Sequence, residues 1–196
     1  MSVINHTDAR KMMRWFYGMK EVADCFEPLS KEQKRALREI PFSRELLAKH
    51  ANDCILYVDL GWSLNKMLQL KKRLWWLELY GYSLRNGFVA HEFAQESEDL
   101  CWRLIRIGCK YAYSPSDIPE MKVEYSADRR LSARQVVCLS LLSFHVNKRY
   151  PLNSGIPVIT SSIADKHWRI MIRLLSGSHS STLRMWKDDR HPFGWI

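Results

Sequence analysis

The residues best equipped for chemistry in this chain are hydroxylic and basic. They gather in the stretch IADKHWRIMIRLLSGSHSSTLRMWK, residues 163–187. Ser181, Thr182, Arg184 and Lys187 carry donors and acceptors of the kind that recognise base edges. Arg169 and Arg173, with Lys148 and Arg149 a little upstream, carry fixed positive charge of the kind that neutralises phosphates. These eight positions are the expected nucleic-acid-binding residues, with double-stranded DNA as the expected partner.

Other chemistry finds less support. G-x-S-x-G, Walker A and G-x-G-x-x-G patterns are absent, and no Cys, Ser or carboxylate stands beside a His in a recognisable nucleophile arrangement, so a non-catalytic role is expected. His91, Glu92 and Glu96 suggest a ligand set, but H-E-x-x-x-E lacks a second His one turn on. Acidic residues at a helix start match the helix dipole and need no metal. The five cysteines, Cys25, Cys54, Cys101, Cys109 and Cys138, form no C-x-x-C pair. They read as buried free thiols in a reducing compartment, and neither a metal site nor a cofactor is expected.

Charge supports the nucleic-acid reading through its distribution. The chain carries a formal net charge of +9, with 30 Lys and Arg against 21 Asp and Glu. Residues 1–128 hold 19 basic against 18 acidic side chains, whereas residues 129–196 hold 11 against 3. The excess therefore sits in the part that contains the candidate residues, where release of condensed counterions would drive binding to a polyanion.

Those residues need a frame, and helical spacing supplies one. Ile163, Trp168, Met171, Ile172, Leu174 and Leu175 fall largely on one side of a helix. Gly177 can adopt the left-handed conformation that ends it, and Ser180 or Ser181 can cap a second helix, STLRMWK, held inward by Leu183 and Trp186. Two short helices across such a turn form a helix-turn-helix-like hairpin, whose second helix enters the major groove. Arg173 departs from the pattern, standing four residues before the glycine where a small residue is usual. A poorer second match is the segment that Ser43 opens, SRELLAKHANDCILYVDL, with Asn52 at the turn and Asp53 at a position that wants an apolar side chain.

The remaining elements follow in chain order. A helix capped by Thr7 or Asp8 is expected to run through Phe26. Ser30 to Gln33 forms a capping box for a short helix, and Ser43 opens another, SRELLAKHANDCILYVDL, in which CILYVDL could also be a buried strand. Gly61 breaks that run. Trp62 to Tyr80 is expected as a core helix and His91 to Tyr113 as another. Residues 114–130 read as a linker or irregular crossing, with MKVEY able to add an edge strand. Ser132 to Gln135 is a second capping box, opening the apolar helix VVCLSLLSFHV, and VIT beyond it could form a short strand.

The expected fold is thus mainly α: a helical bundle with a C-terminal helix-turn-helix-like hairpin and at most a short β element. Residues 1–113 make an N-terminal helical core that could also serve a homodimer, 114–130 the crossing, and 131–196 the basic C-terminal helical part. The expected function is that of a DNA-binding regulatory protein. The alternative is a small non-catalytic interaction module, an inhibitor or adaptor on a nucleic-acid-handling complex, anchored by tryptophans such as Trp75, Trp76 and Trp195. The polar opening MSVINHTDARK and the shortness of the longest apolar run, residues 136–146, lead to the expectation of a soluble cytoplasmic protein.

Overall fold

Cys54–Asp59, five apolar residues followed by an aspartate, forms the central strand of a three-stranded mixed sheet. The computed structural model describes residues 4–69, 92–106, 131–147, 157–165, 168–174 and 181–187. Within them, β1 (Trp15–Tyr17) pairs parallel with β2 (Cys54–Asp59), placing Trp15 against Ile55 and Tyr17 against Tyr57. On the other edge of β2, β3 (Cys101–Arg106) pairs antiparallel, from Cys54 against Arg106 to Asp59 against Cys101. All six residues of β2 are buried, which is why residues 54–58 read as an unbroken apolar run and not as an alternation.

Helices surround this sheet: α1 (His6–Met12), α2 (Met19–Cys25), α3 (Lys31–Ala36), α4 (Arg44–Lys49), α5 (Leu64–Gln69), α6 (Glu92–Gln95) and α7 (Ala133–Asn147). The expected helix from residue 7 to 26 is in fact α1, β1 and α2. Its aromatic triplet Trp15-Phe16-Tyr17 gains more as a strand beside β2, and Gly18 separates it from α2. Asn5, not Thr7 or Asp8, caps α1, its side-chain oxygen accepting from the Asp8 N–H at 2.9 Å. The helix expected from His91 to Tyr113 is likewise cut short: α6 has four residues and Cys101–Arg106 is strand β3. The serine caps formed as expected. Ser30 and Gln33 exchange capping bonds at 3.2 and 2.8 Å, Ser43 accepts from Leu46 N at 3.1 Å, and Ser132 and Gln135 exchange bonds at 3.2 and 3.0 Å.

The largest correction concerns residues 157–187. Where two helices were expected, the described residues 163–165, 168–174 and 181–187 are in strands, and among the described residues no helix-turn-helix is formed there. β4 (Pro157–Asp165), β5 (Trp168–Leu174) and β6 (Ser181–Lys187) make an antiparallel meander in that order. The physical reason is visible in WRIMIRL. Trp168, Ile170, Ile172 and Leu174 recur every second residue with Arg169 and Arg173 between them, a strand period carried by β-branched and aromatic residues. The fold is therefore an α/β mix with two three-stranded sheets among the described residues, not a mainly α bundle.

One apolar cluster runs through the first sheet and its helices, taking in residues from Ile4 to Ile105 and from Leu131 to Leu142. Helix α7 contributes Val136, Val137, Leu139, Leu141 and Leu142 to it, and also lies against β4 and β5 of the second sheet. The Tyr17 hydroxyl donates to Ser143 Oγ at 3.0 Å and accepts from Asn147 Nδ2 at 2.6 Å, fastening β1 to the last turns of α7. The crossing at 114–130 lies outside the described residues. No helix among those described is long and apolar enough to cross a membrane.

Candidate nucleic-acid interface

The register of the second sheet sorts the candidate residues. Across β5 and β6, Arg169 is opposite Trp186, Met171 opposite Arg184, and Arg173 opposite Thr182. Paired positions share a face and neighbours along a strand alternate, so Arg169, Met171, Arg173, Thr182, Arg184 and Trp186 occupy one face. Trp168, Ile170, Ile172, Leu174, Leu183 and Met185 occupy the other, together with Ser181 and Lys187 at the ends of β6. On β4, Ile159 opposite Met171 joins the arginine face and Val158 opposite Ile172 joins the apolar one, before the register shifts between Ile159 and Ile163.

Four of the eight expected contact residues, Arg169, Arg173, Thr182 and Arg184, are thus brought to one face. Ser181 and Lys187 fall on the opposite one. Lys148 and Arg149 lie outside the described residues, as do Trp75, Trp76, Trp195 and His91. The register adds a residue that the helical reading had turned inward: Trp186 shares the arginine face instead of pinning a helix. An alternation count over 168–174 and 181–187 carries that signal.

A second concentration of charge lies at the end of β2. Asp59, fully buried, accepts both prongs of the Arg134 guanidinium at 2.7 and 3.0 Å, the Arg103 Nε–H at 2.7 Å and the Gly61 N–H at 2.9 Å. Arg134 reaches on to Glu98 at 2.8 Å, Arg103 also bonds Glu98, and Gln135 Nε2 donates to the same carboxylate at 3.2 Å. Burial alone would push the Asp59 carboxyl up; the bond and charge of Arg134, the charge of Arg103 and the Gly61 N–H outweigh it and hold the group below the ordinary carboxylate range. Burial works against the charge on both arginines too, but the carboxylates raise their affinity for the proton above the usual guanidinium value. The network joins β2, β3 and α7, and the fully buried Asp59, with both oxygens occupied, offers no lone pair to a substrate.

Compared with protein-family models, curated proteins and solved structures, the chain matches none.

Its function therefore has to be read from its own geometry. Glu96, beside this network, has its carboxyl pushed up by burial and by the nearby charges of Glu92 and Glu98. Cys138 is pushed up by full burial, so its thiol remains protonated and inert. One described group, His50, Asp53 and Cys54, has ligand atoms close enough to hold a cation. The second sheet, for its part, carries Arg169, Arg173 and Arg184 at positions of one face.

Proposed function

We propose that this protein binds nucleic acid through the face of the β4–β5–β6 sheet that carries Arg169, Arg173 and Arg184. The observation that supports this is the β5–β6 register, which gathers three guanidinium-bearing positions, Thr182 and Trp186 on one face with no acidic residue among the paired positions of those two strands. Arginine offers forked donors that match phosphate oxygens, and it cannot lose its charge at neutral pH.

The opposite face is apolar, the kind of surface that a neighbouring helix buries, and α7 is the helix adjacent to β4 and β5. Of the two faces, the arginine face is the one whose side-chain chemistry suits a polyanion. A strand sheet also changes the mode of reading. Trp186 sits directly across from Arg169, an aromatic beside a cation on a pleated surface, which suits a strand whose bases can stack better than it suits a closed duplex. The reading is therefore a nucleic-acid binder that prefers exposed bases, with phosphates on the arginines and a base on Trp186.

The test is binding of the full chain to a random-sequence single strand and to the matching duplex at low salt. Replacing Arg169, Arg173 and Arg184 together by alanine should abolish binding. Replacing Ser181 and Lys187, on the other face, should leave most of it. Trp186→Ala should weaken the single strand by about 1–3 kcal/mol and the duplex hardly at all. Equal losses from the two combined variants, or no binding by the unaltered chain, would sink the proposal.

A further inference from the structure

Helix α4 ends and strand β2 begins within five residues, His50-Ala51-Asn52-Asp53-Cys54, and the turn is closed by the Cys54 N–H donating to the His50 carbonyl at 3.0 Å. That closure brings three potential metal ligands together. The ligand atoms of His50, Asp53 and Cys54 all lie within 4.8 Å of one another. His50 and Cys54 are buried and the Asp53 side chain is 39% exposed, so the cluster is walled by protein on one side and open to solvent on the other.

The histidine is poorly served as a purely structural residue. Its Nδ1 faces the Asp53 carboxylate oxygens at 3.3 and 3.4 Å, longer than the 2.7–2.9 Å expected of a good charge-assisted bond. A nitrogen and an oxygen about 3.3 Å apart are, however, spaced as two corners of a tetrahedron around an ion that holds each at about 2.0–2.1 Å. The thiol of Cys54 supplies the third corner, and the exposed side near Asp53 leaves the fourth to water.

From this geometry we infer that His50, Asp53 and Cys54 form a site for a zinc-class divalent cation, with three protein ligands and an exchangeable fourth position. An imidazole, a carboxylate and a thiolate form a mixed donor set that zinc and cobalt accept and that calcium or magnesium, which favour oxygen, do not. Binding takes Cys54 as its thiolate and releases the thiol proton to solvent, so the ion gains its sulfur ligand without any change of oxidation state. The site clamps the end of α4 to the first residue of the central strand. The spacing is easily missed in sequence, where paired Cys or His residues are the usual sign and here a lone His precedes an Asp-Cys dipeptide.

The test is a titration of the full, reduced chain with Co²⁺, followed by displacement with Zn²⁺. A thiolate-to-cobalt charge-transfer band that saturates at one ion per chain is expected, with a rise in melting temperature on adding Zn²⁺. Cys54→Ser should abolish the band, and His50→Gln should weaken the affinity by about tenfold or more. Because Cys54 is buried, its replacement can compromise folding, and Asp53→Asn at the half-exposed position serves as the second variant: a loss of about tenfold or more in affinity supports the site. No band in the unaltered chain, a band that survives in a folded Cys54→Ser chain, or unchanged affinity in Asp53→Asn would each overturn it.

Discussion

Two residues at the end of β2 show how little latitude a single position can have. Gly61 sits at φ +69°, and a Cβ placed there would lie 1.8 Å from the Glu98 carbonyl oxygen. Its N–H is bonded to Asp59, and its carbonyl accepts from the Glu98 N–H at 2.8 Å, so the backbone has nowhere to retreat. Gly61→Ala should cost the left-handed penalty of about 1–2 kcal/mol plus the clash, seen as a lower denaturation midpoint. Asp59 itself ties stability to pH. Its folded carboxyl binds protons less readily than in the unfolded chain, so its contribution is fully present above the ordinary carboxylate value. That contribution is lost as pH falls from about 4 toward the depressed folded value. Asp59→Asn should be less stable at neutral pH by about 3–5 kcal/mol, since two arginines lose one of the two carboxylates that neutralise them, and its stability should fall less steeply with acid than that of the unaltered chain. Parallel acid-unfolding curves for the two proteins would contradict the assignment.

At the scale of elements, α7 is held by its start as much as by its apolar sides. Ser132 and Gln135 cap it reciprocally, and the same Gln135 amide donates to Glu98, so the cap is continuous with the buried network. Ser132→Ala should cost about 1 kcal/mol in thermal or denaturant unfolding. Gln135→Ala should cost more, because it removes both the cap bond and the Glu98 bond; a smaller loss would mean that the network does not lean on the cap. Such caps were legible in the sequence because they depend on residues three apart: Ser30 with Gln33, Ser43 with Leu46, Ser132 with Gln135. The break at Gly61 was legible because a glycine carries its own conformational freedom. The strands were legible only in part: CILYVDL also read as a buried strand, but in WRIMIRL the alternation competes with a helical spacing, and the choice is settled by a partner, β6 on one side and β4 on the other. The candidate residues Arg169, Arg173, Thr182 and Arg184 were named from chemistry alone, but their common face, and the place of Trp186 on it, depended on that partner.

For the whole molecule, the question is whether its net charge of +9 acts as a diffuse field or through a surface. A diffuse field would make every exposed basic residue equivalent. A surface makes three arginines special. Salt separates the two, because each phosphate neutralised by the protein adds about 0.9 to the slope of log affinity against log salt on a duplex, and about 0.7 on a single strand. Arg184→Ala and Lys31→Ala each remove one positive charge, but Lys31 begins α3, an exposed residue on a different element from the second sheet. Arg184→Ala, and likewise Arg169→Ala and Arg173→Ala, should flatten the slope on a single strand by about 0.7, whereas Lys31→Ala should leave it unchanged and lower affinity only slightly. Equal flattening by Arg184→Ala and Lys31→Ala would show that the excess charge attracts polyanions without a site. Flattening confined to the three arginines would show that the β5–β6 register, and not the total charge, positions the phosphates.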